Sequence, residues 1–445
     1  MFRAHRRMGR ALCLTLVPLT LFGALHFLAA PGGPPSFPRA VHERSDLSSV
    51  TSYSPAPSVI ATIGVGADPM ALTYDPVNGN VYVINFNFTG VGTVSVISGA
   101  TLEATLVVGR HPTALTVDTQ SGYLYVADAV SNDVRVFSGT TNQELAEVAV
   151  GNAPTALMYD QVNGYVYVAD SGSDNVSVIS GTKVIASAPV PGSPGQFAID
   201  TKDGSAYVGV LRCGPQVCGL GNVGEMVGTT LVDDVRVGVD PGSLAYDSSS
   251  GDIYAANYGS DNVSIISGAS VVATIPVGAQ PEAMTVATDT GIVYVANLGS
   301  SNVSVLSGTA EIATIPLQGT LGGIAYDGSS GTVYVSTGAN VTVLSGTGVL
   351  STVDVGGSPG ALTADPRNGY VYATNAAFNS VDAISVPSAS RSPWPPPWML
   401  GAIAAGTVVP AIAWLVLWRR QHSERTKTPR ESKENPTVQD TLGGG

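Results

Sequence analysis

Charge is scarce in this sequence. Asp, Glu, Lys and Arg make up 12% of the 445 residues, about half the share in an ordinary globular protein, which excludes a disordered polyelectrolyte and a coiled coil. Basic residues are the scarcer sign: 20 Lys and Arg stand against 33 Asp and Glu, for a formal charge of −13. That balance argues against a nucleic-acid binder. Histidine is nearly absent, with five copies, of which only His111 lies between residues 59 and 386; no Trp lies in that interval at all. A Ser-His-Asp or Cys-His arrangement needs a base beside its nucleophile, so His111 is the one candidate base available to such chemistry. Apolar residues at helical spacing are missing from the interval, and so are Gly-rich phosphate loops that open a helix. The 52 Gly and 29 Pro fall short of the level that marks low-complexity disorder. With 44% hydrophobic residues, such a composition suits short strands joined by tight turns.

What is present is a repeat. Tyr recurs at 82, 125, 167, 207, 254, 294, 334 and 372, each inside a segment such as YVAN or YVAD, at spacings of 38 to 47 residues. The copy beginning at Pro154 contains four alternating runs: PTALMYD, YVYVAD, NVSVISG and KVIASAPV. Period-two alternation bounded by Gly, Asn and Asp is the strand signal. Four strands in about 40 residues make a propeller blade rather than a solenoid turn. Eight copies supply the first three strands, seven fourth strands follow within the repeat, and an eighth, VIATIGVG at 59–66, precedes the first copy. An orphan fourth strand at that end is what ring closure requires, because it completes the last blade and covers an open edge. The expectation is therefore an all-β, eight-bladed β-propeller over residues 59–386. Seven blades is the alternative if the irregular fourth copy, the longest, is not a true blade.

Both ends carry membrane signals. Arg3, Arg6, Arg7 and Arg10 precede an apolar run to Ala30, which reads as a signal peptide, with an uncleaved signal anchor as the alternative. Cys13 lies near the start of that run, which argues against a lipoprotein cysteine. Residues 31–58 and 387–397 are Pro/Ser-rich linkers. Residues 398–418, WMLGAIAAGTVVPAIAWLVLW, contain no charge and carry Trp near both ends, with Arg419 and Arg420 following. That pattern is a transmembrane helix with its C-terminal side cytoplasmic, followed by a disordered tail over 419–445. The propeller is expected on the extracellular face of a cell membrane.

The motif reads YVIN at Tyr82, YVAD at Tyr125 and Tyr167, YAAN at Tyr254, YVAN at Tyr294 and YATN at Tyr372, while YVGV at Tyr207 and YVST at Tyr334 depart from it. In these segments the chain resembles the YVTN-type β-propeller repeat family, known from archaeal surface-layer-like proteins and YncE-like exported propellers. The resemblance implies the fold and export. It implies little about activity, since unrelated functions sit on propellers. Quinoprotein-style Trp motifs and the GH…WD signature of WD repeats are lacking.

Strand direction places the fourth-to-first connections around one channel mouth. Aligned there are Asp68, His111, Ala153, Ser193, Asp240, Gln280, Thr320 and Ser358, a candidate ligand rim. With so few converging ligands the reading carries no metal and no cofactor. Between residues 59 and 386 there are 27 Asp and Glu against seven Lys and Arg. Many of these Asp stand at turns such as YDPVNG, where they bond nearby backbone amides. Five N-x-S/T sequons, at Asn87, Asn175, Asn262, Asn302 and Asn340, are N-glycosylation candidates on second-to-third connections. Cys213 and Cys218 are expected to form a disulfide across an inserted loop. The expected function is a membrane-anchored envelope, adhesion or ligand-recognition module that meets an extracellular protein or glycan and no nucleic acid. The alternative is an exported propeller enzyme of lactonase- or lyase-like type, with His111, Asp68 or Asp240 at the mouth.

Overall fold

The structure is a computed structural model that describes residues 56–88, 90–212 and 219–385. Cys213 and Cys218 lie outside the described residues. So do the N-terminal segment, nearly all of the first linker, the second linker, the 398–418 apolar segment and the tail. Among the described residues no helix is long and apolar enough to cross a membrane.

The strands form eight four-stranded antiparallel sheets. We number the blades along the chain: 69–110, 112–149, 154–189, 193–239, 241–276, 281–316 and 321–354, with blade 8 made of 359–385 and the N-terminal strand Ser58–Gly64. The fourth repeat is a true blade, and its last strand, Thr230–Val239, is one of the two longest among the described residues, so the seven-bladed alternative falls. First strands line the channel and touch those of the neighbouring blades all the way round, including blade 1 against blade 8. Ring closure takes the expected form. Ser58–Gly64 runs antiparallel to Ser380–Ser385, pairing Ser58 with Ser385 and Gly64 with Ser380. Thr62 Oγ1 donates to the buried Asp382 carboxylate at 2.6 Å, and Ile63 is buried in the seam.

The core consists of inter-blade clusters in which Val, Ile and Tyr of the second and third strands pack against the next blade. The repeat tyrosine has a role that reaches beyond packing. In six blades its hydroxyl donates to a glycine carbonyl in the third-to-fourth turn of the following blade, as in Tyr125 to Gly181 and Tyr167 to Gly228 at 2.9 Å each. Tyr372 does the same across the seam, to Gly99 at 2.9 Å. The two blades without such a bond carry Tyr207 and Tyr334, the two copies whose motif departs from the pattern; Tyr334 instead accepts from Thr332 in its own blade.

A second inter-blade fit explains the glycine that ends most fourth strands. The Asp or Asn closing each YVAD- or YVAN-type motif is buried and lies on that glycine's Cα. A Cβ on Gly109 would meet Asp128 at 2.6 Å, and one on Gly238 would meet Asn257 at 2.6 Å. Only a residue without a side chain permits that approach. The turn aspartates act as the sequence predicts: Asp75, Asp160, Asp247 and Asp365 each accept the N–H of the residue two positions on.

Candidate functional site at the upper channel mouth

We call upper the face that carries the fourth-to-first and second-to-third connections. The first strand starts and the last strand ends on the lower face, at Ser58 and Ser385.

Every predicted rim residue lies in the upper ring. Five of them, Asp68, His111, Ala153, Asp240 and Gln280, adopt left-handed backbone with φ between 48° and 59°. For residues with a Cβ this costs on the order of 1 kcal/mol each, so something must hold them. Their carbonyls do: His111 accepts from the Ala129 N–H at 2.9 Å, Asp240 from Tyr258 at 2.8 Å and Gln280 from Leu298 at 2.9 Å. The amide one position earlier is satisfied by a serine hydroxyl of the second-to-third loop, namely Ser131, Ser173, Ser260 or Ser300. Each connection is thereby sewn to the loop beside it. Many of the polar groups in these loops are consumed in building the ring.

The ring does not gather its candidate chemistry. Phe86 stands between Asp68 and His111: its N–H donates to the Asp68 carbonyl, and its ring meets the His111 imidazole edge-on at 4.7 Å. Among the described residues His111 forms no ion pair with a carboxylate. Ser193 Oγ donates to the Ser171 carbonyl, the Gln280 N–H to Asp261 and the Ser358 N–H to Asn375. Among the described residues no three metal-ligating side chains converge.

Sequence reasoning passed over the aromatic side of this face. Phe86 and Phe88 meet at right angles, 4.6 Å between centroids, and Phe88 is 75% exposed. Phe378, 62% exposed, adjoins Asn379, whose side chain accepts the Asp68 N–H. These rings sit outside the strands, two in a loop and Phe378 in a short 3-10 turn, and an aromatic there carries no signal until its neighbours are known. A recess of about 430 Å³ between blades 3 and 4 was equally unseen; it is lined by Asp174, Val190, Ser193, Leu211 and Arg212. Arg212 there is paired with Asp234 at 2.7 Å.

The sequons divide. Asn175, Asn262, Asn302 and Asn340 each open a third strand and are half-buried. Asn175 Nδ2 donates to Asp170 and Ser187, while Asn262 and Asn302 accept from the buried Asn257 and Asn297. Asn87 alone stands on an exposed loop, its amide donating to the Val91 carbonyl.

Two blades replace the buried motif Asn by Asp. Burial pushes the Asp170 carboxyl up to about 6 against the hydrogen bonds from Ser177 and Asn175 that favour its charge. Asp128 is pushed up to about 8, first by burial and further by Asp133 across the strand pair, although the Gly109 amide and Arg135 oppose it. Arg135 lies 3.9 Å from Asp128 and binds Glu144 and Glu147 at 2.9 and 3.1 Å.

At the lower mouth, tyrosines of alternate blades lie beside a carboxylate of the preceding blade: Tyr74 by Asp365, Tyr159 by Asp118 and Tyr246 by Asp200. Tyr326 donates to Asp289. A cavity of about 420 Å³ opens there, lined by Met158, Tyr159, Leu244 and Tyr246 among others.

No protein-family model matches the chain, and no curated protein matches it in sequence. Solved structures do. The C-terminal WD40 domain of Sif2 is 14% identical over 74% of this chain and 99% of its own, with a TM-score of 0.57. Hydrazine synthase of Kuenenia stuttgartiensis is 18% identical over 72% of this chain and 96% of that one, with a TM-score of 0.51. At such identities the likeness is one of fold alone. The chain is a β-propeller.

Proposed function

We propose that this protein is a membrane-anchored cell-surface propeller that recognises an extracellular protein or glycan with its upper face. One observation carries the reading: the first strand starts and the last strand ends on the same lower face. A tether leaving there keeps the opposite mouth clear. The apolar segment 398–418, with its Trp-rich ends and following arginines, supports a single span. The resemblance of the YVAN-type motifs to the YVTN repeat family supports export. On the upper face, exposed Phe88 and Phe378 beside Asp68 and His111 suit a ligand with both apolar and hydrogen-bonding surface. The domain's acidic balance disfavours anionic ligands and nucleic acid.

The test is topological and then chemical. In intact cells that express the full chain, external protease should remove the propeller and leave the 419–445 tail intact. The same cells should bind selectively on a glycan and protein screen, and Phe88→Ala with Phe378→Ala should weaken that binding. A propeller protected inside the cell, or binding indifferent to both Phe, would defeat the proposal. The enzyme alternative has its own discriminating variant, because His111→Ala removes the one histidine of residues 59–386; a hydrolytic or lyase activity lost with it would favour that reading.

A further inference from the structure

The outer edge of the disc repeats one irregularity. In each blade the fourth strand skips one residue against the third, always near its start: Val59 and Ala61 pair with consecutive residues and bypass Ile60, and Val349 and Ser351 likewise bypass Leu350. The same shift recurs in the other six blades. The bypassed residue is aliphatic and between 43% and 55% exposed in seven blades, from Ile60 in blade 8 to Leu350 in blade 7; in blade 1 it is Glu103. Fourth strands run from the lower face upward, so these side chains form a hoop about two residues, or ~7 Å, above the lower rim.

The hoop has an uncharged stretch where the chain ends leave. Blade 7 exposes Val349 and Leu350 side by side, at 50% and 54%, and Ile60 of blade 8 is next to them at 43%. No charged residue occurs in 345–352 or in 56–67, so the outer strands of this sector carry no charge at their lower ends. Trp398, the first residue of the uncharged segment, follows Ser385 by thirteen residues, a reach of at most ~45 Å.

We propose that the lower outer rim of blades 7 and 8, centred on Ile60, Val349 and Leu350, rests on the lipid surface of the membrane that holds the chain. This deepens the tethered reading above and depends on it. A lipid surface fits better than a second protein, because a bulge in every outer strand breaks the ladder that an added strand would need. Lipid requires no ladder. It requires aliphatic side chains without nearby charge, at a depth of about 5–10 Å, the range over which apolar faces enter the headgroup boundary. The propeller is then tilted on its tether, with blade 4 on the far side raised into water.

The experiment uses the full chain in vesicles of neutral phosphatidylcholine, with Cys13, Cys213 and Cys218 replaced by Ser. A nitroxide is attached at Leu350→Cys or, on the far side of the disc, at Val232→Cys. Both sites are exposed, so labelling leaves the core intact. The expected result is a several-fold higher ratio of oxygen to nickel-chelate accessibility at 350 than at 232. A second variant, Val349→Glu with Ile60→Glu, should abolish that difference. Equal, water-like accessibility at both sites in a chain that stays with the vesicles after an alkaline wash would overturn the lipid contact while leaving the tether standing. A difference seen only at high protein-to-lipid ratio would overturn it in favour of contact between copies. A chain released by the wash would refute both readings.

Discussion

Removing the Tyr372 hydroxyl tests how the ring is sealed. This hydroxyl donates to Gly99 of blade 1 and accepts from Asn368, both at 2.9 Å, and its ring is buried. Tyr372→Phe keeps the ring packing and leaves a carbonyl and an amide short of a partner. Each hydrogen bond of this kind contributes about 0.5–1.5 kcal/mol net, so the loss of two should be about 1–3 kcal/mol. Tyr334→Phe is the internal control, because that hydroxyl accepts from Thr332 and makes no inter-blade bond; its loss should be about 0.5–1.5 kcal/mol. Urea unfolding reads both, and the midpoint should fall further for Tyr372→Phe with the slope unchanged, since the surface exposed on unfolding is the same. If the staples act together, replacing all six tyrosines by Phe should remove several kcal/mol, a large part of the ~5–15 kcal/mol that holds a protein folded. Equal midpoints for Tyr372→Phe and Tyr334→Phe would refute the idea that the inter-blade hydroxyl bond does more than fill space.

Three further outcomes follow from the same contacts. Gly151→Ala would place a Cβ 2.5 Å from Ser173 Oγ and 2.6 Å from Asp170, so it should destabilise by about 1–3 kcal/mol, whereas Gly64→Ala, with nothing within 4 Å, should be nearly neutral; calorimetry on the pair decides. Asp128 has its folded pKa raised to about 8, so the native state holds a proton that the unfolded chain releases near pH 4; stability from this group is present at low pH and is lost as pH rises toward 8. Asp128→Asn, the residue that Asn85, Asn257, Asn297 and Asn375 supply elsewhere, should flatten that slope, and parallel urea-midpoint profiles for variant and parent between pH 5 and 8.5 would contradict it. Thr62→Val takes one of two donors from the buried Asp382 carboxylate and should cost about 1–3 kcal/mol; an unchanged melting temperature would argue that the closing strand is a bystander.

What the sequence makes legible depends on range. Blade number, strand order and the closing strand follow from local signals, because a strand announces itself by period-two alternation and a turn by Gly, Asn and Asp. The turn aspartates and the ring of rim residues belong to the same class, since each acts within a few residues or repeats at a fixed place. Pairing between blades was invisible. Asp68 and His111 hold equivalent places in adjacent repeats, yet it is Phe86 that meets both, by its N–H and by its ring.

From the chain alone came the eight-fold repeat and the expectation of a sealed ring, for these rest on periodicity and on the need to cover a sheet edge. Only the tertiary structure decided that the repeat tyrosine bonds to the next blade, that the glycine before the rim exists to admit an Asp or Asn, and that a bulged aliphatic hoop encircles the lower edge. For the tyrosine and the glycine the reason is distance, since their contacts join residues some twenty to several hundred positions apart; for the hoop it is a one-residue shift in register between neighbouring strands. Their meeting is fixed by blade rotation and strand register, which no window of sequence contains.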